Sequence, residues 1–347
     1  MSSSSKGGWS HAIHASHIAA PSGGMTHAAA IKAGKAPAGL HKDLDPAGLN
    51  KAGHKVRECR DSDEYPVTVP IRVDFDVTGS MGIFPKQAQA KLALLPLTFH
   101  KSGICPGAQF SFGAIGDAYS DQAPLQVGQF EADNKMDLAL GNIWPEGGGG
   151  GGGHESYELA MFFTSRYVEA DHINKRGEKG IYFIIGDELP YDLLSAVVVQ
   201  KVIGDKIEGR IPTSELIKEL EEKWEFFWIY PKNQGRSVDG KLIPMGYYQR
   251  GEHVPILQGM FPERVILLDE PEGICELLAK IIGRVLGNSD SVVDAALFNS
   301  GADPTFVASA SDSMAVVPWA SSASIAKATT SGGALLPTIE DDDVGRL

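Results

Sequence analysis

The sequence predicts a doubly wound α/β domain, in which a mostly parallel sheet carries helices on both faces. Three observations support this fold class. Apolar runs of strand length recur along the chain and are rich in β-branched and aromatic residues. Helical stretches fall between these runs, and polar residues collect where the runs end. The predicted strands are 67–77, 108–116, 179–187, 224–231 and 264–269.

Helices are predicted over 84–101, 154–170, 191–203, 213–223 and 272–287. Strands that alternate with helices imply right-handed crossovers and parallel pairing. Because the predicted strands are almost continuously apolar, we expect the sheet to be buried on both faces. In such folds the functional site lies at the carboxyl ends of the strands, where the strand order reverses.

Composition excludes several classes of function. The chain has 347 residues, 43% of them hydrophobic, and a formal net charge of -13. Nucleic-acid binding needs a basic face, so we expect no nucleic-acid partner. No apolar run approaches the ~18 to 20 residues that span a bilayer, and the first residues contain no apolar segment typical of a secretory signal. Because no run could span a bilayer, we expect no membrane partner. Three widely spaced cysteines indicate reduced thiols, so we expect a cytoplasmic protein.

The two ends of the chain differ in composition from the middle. Residues 1–56 are rich in Ala, Gly, Ser, His and Lys, and residues 291–347 in Ala, Ser and Thr. Such segments bury too little apolar surface to offset the entropy lost on ordering. We therefore predict a flexible arm over 1–56, a folded domain over 57–290 and a low-complexity tail over 291–347.

Oxygen-bearing side chains follow three of the predicted strands. The stretch VDFDVTGSMG places Asp76, Thr78 and Ser80 at alternate positions, and Asp117 and Asp187 follow two further strands. Carboxylates buried together must share a proton, pair with a base or bind a cation. Lys and Arg are scarce in these loops, so a cation is expected. Donors that are all oxygen suit Mg²⁺, Mn²⁺ or Ca²⁺ better than zinc.

The Asp76-x-Thr78-x-Ser80 loop resembles the metal-ion-dependent adhesion site of von Willebrand factor A domains. Together with RDSDEYP, GAIGDAYSDQAPLQV, GGGGGHESYELA and KRGEKGIYFIIGDE, it looks closest to stand-alone bacterial and phage members. The resemblance covers about residues 55–290. It implies the doubly wound fold, with Asp187 as the aspartate at the end of the later strand. It also implies a bound Mg²⁺ with one open coordination position, which grips an Asp or Glu of a partner protein. Bacterial relatives often work with AAA+ ATPases of the MoxR type, and a phage-encoded member would be a virion protein.

One loop departs from the family pattern. Family members usually offer a threonine before the helix of the third metal loop, whereas this chain has seven glycines, 147–153, followed by His154. Glu155 or Ser156 would then supply the missing oxygen. The alternative is that Glu155 only places a negative charge at the positive end of a helix. For Asp121, a role in holding its own loop is favoured over metal binding.

Two other functions compete with a metal-dependent adaptor that has no catalytic turnover. VDFDVT and IIGDELPYD also fit a haloacid-dehalogenase-like phosphohydrolase. Asp74 would then be the nucleophile, Asp76 the general acid/base, and Asp187 with Asp192 the Mg²⁺ ligands. The continuation Thr78-Gly79-Ser80-Met81 favours the adhesion-type site instead. A structural role is the other alternative, in which the chain is a homo-oligomer or a virion or scaffold component whose arms order on assembly.

Overall fold

The computed structural model describes residues 26–50, 53–149, 152–232, 235–238, 241–244 and 252–315. Its strands, in chain order, are β1 Arg57–Cys59, β2 Val69–Asp76, β3 Ala108–Ile115, β4 Leu125–Val127, β5 His154–Glu155, β6 Val168–Ala170, β7 Gly180–Ile185, β8 Leu189–Pro190, β9 Leu193–Ser195, β10 Arg210–Pro212, β11 Trp224–Pro231, β12 Gly235–Val238, β13 Lys241–Pro244 and β14 Val265–Leu268.

The α-helices are α1 His27–Lys32, α2 Phe84–Leu92, α3 Leu95–Ser102, α4 Lys135–Asn142, α5 Tyr157–Arg166, α6 Asp171–Arg176, α7 Ala196–Val202, α8 Thr213–Lys223, α9 His253–Met260, α10 Ile274–Val285, α11 Asp290–Ser300 and α12 Pro304–Ala315. Short 3-10 turns cover Lys42–Leu44, Gly79–Met81 and Pro271–Gly273. No helix in the described part of the chain is long and apolar enough to cross a membrane.

A six-stranded sheet forms the centre, in the order β14-β11-β7-β2-β3-β4. All neighbouring strands in it are parallel except β4, which runs antiparallel to β3 at one edge. Strand β2 lies between β3 and β7, so the strand order reverses between β2 and β7. The predicted fold class is therefore confirmed, and the carboxyl ends of β2 and β7 flank the predicted site.

Both faces of the sheet are covered, as the apolar strands predict. Every residue of β2, β3 and β7 is buried. On one face, Val73 and Phe75 belong to a core that includes side chains of α2, α3 and α10. On the other face, Tyr182 and Trp228 belong to a core that includes side chains of α5, α7 and α8.

Three predicted helices differ from the observed elements. The helix expected over 84–101 is two helices, α2 and α3, with Pro96 in the first turn of α3, where its missing N–H interrupts the hydrogen-bond ladder least. The segments expected to begin the helices at 154 and 191 instead form the short strands β5 and β9.

Part of the N-terminal segment that was predicted to be a flexible arm packs against the domain. Residues 26–50 contain α1, and Leu44 is buried in the core. Arg57 fixes this segment, since its Nη2 donates to the carbonyl of Asp45 at 2.7 Å. Residues 1–25, 51 and 52 lie outside the described residues.

The first part of the predicted C-terminal tail is also packed. Helices α11 and α12 bury Val293, Leu297 and Val307 in the core that contains α10. Lys280 of α10 is 2% exposed and forms an ion pair with Asp294 of α11. The composition of this segment is low in charge and rich in Ala and Ser, yet its apolar residues recur at helical spacing. Residues 316–347 lie outside the described residues.

Candidate metal centre

The loop after β2 is organised by its own oxygen atoms. Asp76 Oδ1 accepts hydrogen bonds from the Thr78 backbone N–H at 2.7 Å and from the Thr78 hydroxyl at 2.6 Å. Thr78 Oγ1 lies 3.0 Å from Ser80 Oγ. Because the chain makes a 3-10 turn over Gly79–Met81, Ser80 returns to the side of the loop that carries Asp76 and Thr78. The three predicted donors thus form one hydrogen-bonded cluster.

Asp187 completes this cluster from the other side of the strand-order reversal. The Ser80 hydroxyl donates to Asp187 Oδ1 at 3.0 Å. Asp187 is 1% exposed. His253, at the start of α9, donates through Nδ1 to the backbone carbonyl of Asp187 at 3.1 Å. The structure therefore brings together the four predicted residues Asp76, Thr78, Ser80 and Asp187. It also places His253 next to Asp187, which was not predicted from the sequence.

Tyr157 is a second contributor that the sequence analysis missed. Its hydroxyl donates to Asp76 Oδ2, and its ring packs edge-on against Trp228, with ring centroids 4.7 Å apart. A Cβ on Gly186 would lie 2.3 Å from the Tyr157 hydroxyl oxygen, so the tyrosine fits only because residue 186 has no side chain. From sequence, a tyrosine in an apolar helix is predicted to be a core residue. No sequence motif indicates that its hydroxyl binds Asp76.

The glycine run approaches the loop after β2 through its backbone. Gly79 N–H donates to the carbonyl of Gly148 at 2.7 Å, and Gly147 N–H donates to the carbonyl of Val77 at 3.1 Å. Gly149 has a φ of 110°, a conformation that L side chains rarely adopt. The run therefore brings backbone, rather than a threonine, against the loop that carries Thr78 and Ser80.

Glu155 lies on the buried side of the cluster. It belongs to β5, which pairs with β8, and not to the helix that follows. A Cβ on Gly149 would lie 2.9 Å from Glu155 Oε1 and 3.2 Å from Thr78 Cβ, so the carboxylate faces Thr78 across that glycine. The residue is 1% exposed, and its Oε2 is buried without a hydrogen-bond partner among the described residues.

Negative charges at the site raise one another's pKa. Burial, followed by the charges of Asp76, Asp117, Asp121 and Asp187, raises the pKa of Glu155 to about 10. Burial and then Asp187 raise the pKa of Asp76 to about 7, against the lowering effect of its hydrogen bonds from Thr78 and Tyr157. Without a cation, the cluster must therefore bind protons or accept repulsion between its carboxylates.

Asp117 and Asp121 organise neighbouring loops. Asp117 Oδ1 accepts from the Tyr191 hydroxyl at 3.1 Å and Oδ2 from the Ser120 hydroxyl at 2.8 Å. Asp121 accepts from the backbone N–H of Asp117 at 2.8 Å and of Gly149 at 2.7 Å. Asp121 thus has the loop-holding contacts favoured for it. Asp117 is close enough to affect the pKa of Glu155, but its role as a metal ligand stays a prediction.

The oxygen atoms of the cluster suit a hard cation, and they belong to both carboxylates and hydroxyls. No three His, Cys, Asp or Glu side chains among the described residues form a group arranged to hold a metal. A cation here would therefore depend on the hydroxyls of Thr78 and Ser80 as well as on Asp76 and Asp187. The buried, unpartnered Oε2 of Glu155 and the purely oxygen chemistry suit Mg²⁺, Mn²⁺ or Ca²⁺.

The two extra residues of the phosphohydrolase alternative lie apart from this cluster. Asp74 is fully buried in β2 and forms an ion pair with Arg72, with Oδ1 2.8 Å from Nη2 and Oδ2 3.0 Å from Nε. The Tyr182 hydroxyl also donates to Asp74 Oδ2, at 2.8 Å. Asp192 is exposed in the turn between β8 and β9. A carboxylate so enclosed is poorly placed to attack a phosphate ester.

No protein-family model matches the sequence, and no curated protein sequence is similar to it. Solved structures resemble the fold. The pilus adhesin SpaC from Lactobacillus rhamnosus GG in its open conformation has a TM-score of 0.44 and 12% identity, and the match covers 66% of this chain and 31% of SpaC. BatB from Bacteroides thetaiotaomicron has a TM-score of 0.36 and 12% identity, covering 71% of this chain and all of BatB, 100%.

The VWA domain of SpRpn10 has a TM-score of 0.34 and 9% identity, covering 60% of this chain and 95% of that domain. This chain spans about a third of the length of SpaC. These likenesses concern the fold alone.

Proposed function

We propose that the protein is a metal-dependent adaptor that binds other proteins. A divalent cation, Mg²⁺ or else Mn²⁺ or Ca²⁺, would be held by Asp76, Thr78, Ser80 and Asp187. The observation that carries the proposal is the unbroken series of hydrogen-bonded oxygens from Asp76 through Thr78 and Ser80 to Asp187, at the point where the strand order reverses.

One side of this cluster faces solvent. Gly79 is exposed and Ser80 half-buried, whereas Asp76, Thr78 and Asp187 are buried. A cation at the cluster supplies the positive charge that attracts an outside carboxylate. Because the hydroxyls of Thr78 and Ser80 are neutral, they cancel less of that charge than further carboxylates would. An Asp or Glu of a partner protein could then approach from this solvent-facing side, at Gly79 and Ser80.

We propose that this site has no catalytic turnover. Asp74 is held by Arg72 and Tyr182, and His253 already donates to the Asp187 carbonyl. A MoxR-type AAA+ ATPase is the leading candidate partner, on the family resemblance alone. Assembly into a homo-oligomer or virion component is the alternative that the sequence leaves open.

Calorimetry with Mg²⁺ and Mn²⁺ tests the cation site. We expect a saturable heat with wild type and none with Asp76→Ala, because that substitution removes the carboxylate that fixes Thr78. Asp192→Asn is the matched control, since it neutralises an exposed carboxylate that only the phosphohydrolase alternative makes a ligand. Equal heats from wild type and Asp76→Ala would overturn the site.

Capture assays test the adaptor role. A purified MoxR-type ATPase should bind the wild-type protein in Mg²⁺, and binding should be lost in EDTA and with Asp76→Ala. Size-exclusion chromatography of the same samples reports self-assembly. Binding that persists unchanged in EDTA would contradict metal-dependent capture.

A further inference from the structure

We propose that an exposed cluster of aromatic side chains, at the same edge of the sheet as the candidate metal centre, binds an arginine side chain of a partner protein. This aromatic cluster consists of Tyr119 in the loop after β3, His154 in β5 and Tyr191 in the turn after β8. The inference rests on the proposed adaptor function, because it names a second contact with the same partner, but that contact needs no metal ion.

The three rings of the aromatic cluster pack against one another. The Tyr119 and Tyr191 rings meet edge to face, with centroids 4.9 Å apart and an angle of 69° between their planes. The His154 ring stacks on Tyr191 with centroids 5.5 Å apart. Tyr119 is nevertheless 59% exposed, and the other two residues are half-buried. Because tyrosine is enriched at protein interfaces, an exposed group of this kind suits contact with another protein.

Hydrogen bonds hold the aromatic cluster in place. The Tyr191 hydroxyl donates to Asp117 Oδ1 at 3.1 Å. Lys201 Nζ donates to the carbonyl of Ala118 at 2.9 Å, which fixes the backbone next to Tyr119. The rings are therefore positioned before a partner arrives, and a preorganised surface loses less conformational entropy on binding.

The charges around the aromatic cluster favour a positively charged partner group. Four carboxylates lie in the loops that carry Tyr119 and Tyr191 or bind their backbone, namely Asp117, Asp121, Glu146 and Asp192. Among the described residues, none of the four forms an ion pair with Lys, Arg or His. Near the amino ends of β2 and β11, by contrast, Asp61 pairs with Arg176 and Glu225 with Arg264. The aromatic cluster thus borders carboxylates that have no cation of their own, and such a surface attracts a cation from outside.

Acidic groups also outweigh the basic group that lies near Tyr119. Burial, and then the charges of Glu158 and Asp117, raise the pKa of the Tyr119 hydroxyl, while Arg210 lowers it by less. Arginine fits this environment better than lysine does. Its planar guanidinium stacks on an aromatic ring and can donate to a carboxylate at the same time, whereas an ammonium group is compact and strongly hydrated.

The test uses a blocked arginine, N-acetyl-arginine methylamide, as the probe. It is titrated in EDTA and at low salt into protein with isotope-labelled tyrosine rings, and NMR follows the ring signals of Tyr119 and Tyr191. N-acetyl-citrulline methylamide, which has nearly the same shape without the charge, is the matched control ligand. We expect saturable shifts with a dissociation constant on the order of 10 mM, because one side chain supplies only a small part of a protein interface. Citrulline should bind at least about fivefold more weakly.

Two variants separate the contributions of the ring and of the charge. In Tyr119→Leu, loss of an exposed cation–π contact should weaken arginine binding about two- to fivefold, measured at the Tyr191 signals. In Asp192→Asn, loss of one exposed charge should weaken it by up to about fivefold, and added salt should weaken it further. Phe298→Leu removes an exposed aromatic ring from α11 and should leave arginine binding unchanged.

The inference is overturned if arginine and citrulline bind equally, if Tyr119→Leu binds arginine as wild type does, or if no saturable shift occurs below ~100 mM. Tyr119 signals that shift with protein concentration alone would identify a second copy of this chain as the occupant, which overturns it as well. The two proposals can fail separately. Arginine binding in EDTA by a protein that binds no Mg²⁺ would support the aromatic cluster and contradict the cation site. Mg²⁺ binding without an arginine-dependent shift would do the reverse.

Discussion

The hydroxyl of Tyr157 donates a hydrogen bond to Asp76 Oδ2, and this bond joins the first turn of α5 to the tip of the central strand β2. Thr78 binds the other oxygen of the same carboxylate. Asp76 is thus held by its own loop on one side and by a buried core residue on the other. The geometry of the loop after β2 depends on the packing of α5 against the sheet.

Tyr157→Phe should therefore weaken both stability and metal binding. We expect a loss of about 1.5–3 kcal/mol in the free energy of unfolding, because the acceptor is a buried carboxylate. Metal affinity should fall about 10- to 100-fold, as for other residues that orient a ligand. Urea unfolding in EDTA and calorimetry with Mg²⁺ measure the two effects. Tyr182→Phe, which breaks an equally buried bond to Asp74, should lower stability alone. An unchanged affinity in Tyr157→Phe would contradict the orienting role.

Gly186→Ala should disturb the same contact from the side of β7. The added Cβ would lie 2.3 to 2.7 Å from three atoms of the rigid Tyr157 ring system. We expect a loss of about 1–3 kcal/mol, typical of overpacking in a close-packed core. Urea unfolding gives the value. Combining Gly186→Ala with Tyr157→Leu should recover part of the loss, because the clash is then relieved. If Gly186→Ala has the same free energy of unfolding as wild type, the Tyr157 ring must be able to adopt another position.

Asp74→Asn tests the buried ion pair of β2. Breaking it leaves Arg72 charged and without its carboxylate, which should cost about 3–5 kcal/mol in urea unfolding. The double variant Arg72→Met, Asp74→Leu should be much closer to wild type, since no charge then remains unpaired. Metal affinity should be unchanged in that double variant. We also expect no Mg²⁺-dependent hydrolysis of p-nitrophenyl phosphate by wild type. Hydrolysis that disappears with Asp74→Asn would establish the phosphohydrolase instead.

Glu158 should make stability depend on pH. Burial raises its pKa in the folded protein to about 8 from the ordinary value of 4.5. The folded state therefore binds the proton more strongly than the unfolded state. This contribution is fully present below pH 4.5 and is lost as pH rises toward 8, by about 1.4 kcal/mol for each pH unit. Unfolding in EDTA at several pH values should show a smaller decline in Glu158→Gln than in wild type. Parallel curves would mean that Glu158 titrates normally.

Removing residues after 289 should destabilise the domain. Helices α11 and α12 bury Val293, Leu297 and Val307 against α10, and each buried aliphatic side chain contributes about 1.5–3 kcal/mol. Lys280 would also lose Asp294, its partner in an ion pair. We expect a loss of at least about 4 kcal/mol in urea unfolding, or failure to express soluble protein. Truncation after residue 315, which keeps both helices, is the control.

The sheet could be predicted because its strands are continuous apolar runs, and such runs are buried on both faces only in a few architectures. The meeting of Asp76, Thr78, Ser80 and Asp187 followed from topology, since parallel strands end at the same edge. Tyr157 and His253 could not be found in this way. Their contribution depends on where a phenol and an imidazole point after packing, and no spacing in the sequence encodes that.

The two C-terminal helices, α11 and α12, were not predicted, for a different reason. Residues 291–315 are rich in Ala and Ser, so their composition resembles that of a solvated tail. Their buried apolar side chains, which include Val293, Leu297, Val307 and Met314, nevertheless recur at helical spacing, and the core that contains α10 covers them, whereas Val292 and Phe298 are exposed. The amino-acid composition of a segment does not show where its apolar residues lie along a helix. Helical spacing was the signal that could have identified these elements.

Arg72 and Asp74 also restrict the register of β2 in the sheet. Both side chains lie on the same face of the strand as Asp76, and Val73 and Phe75 lie on the other. A shift of β2 by one residue would turn the ion pair into the fully apolar core on the α10 side and take Arg72 away from Ser111, which binds it at 2.9 Å. In such a misregistered sheet the pair would be buried among apolar side chains, without its hydrogen bonds to Ser111 and Tyr182. The pair therefore selects the one strand alignment that delivers Asp76 to the edge of the sheet.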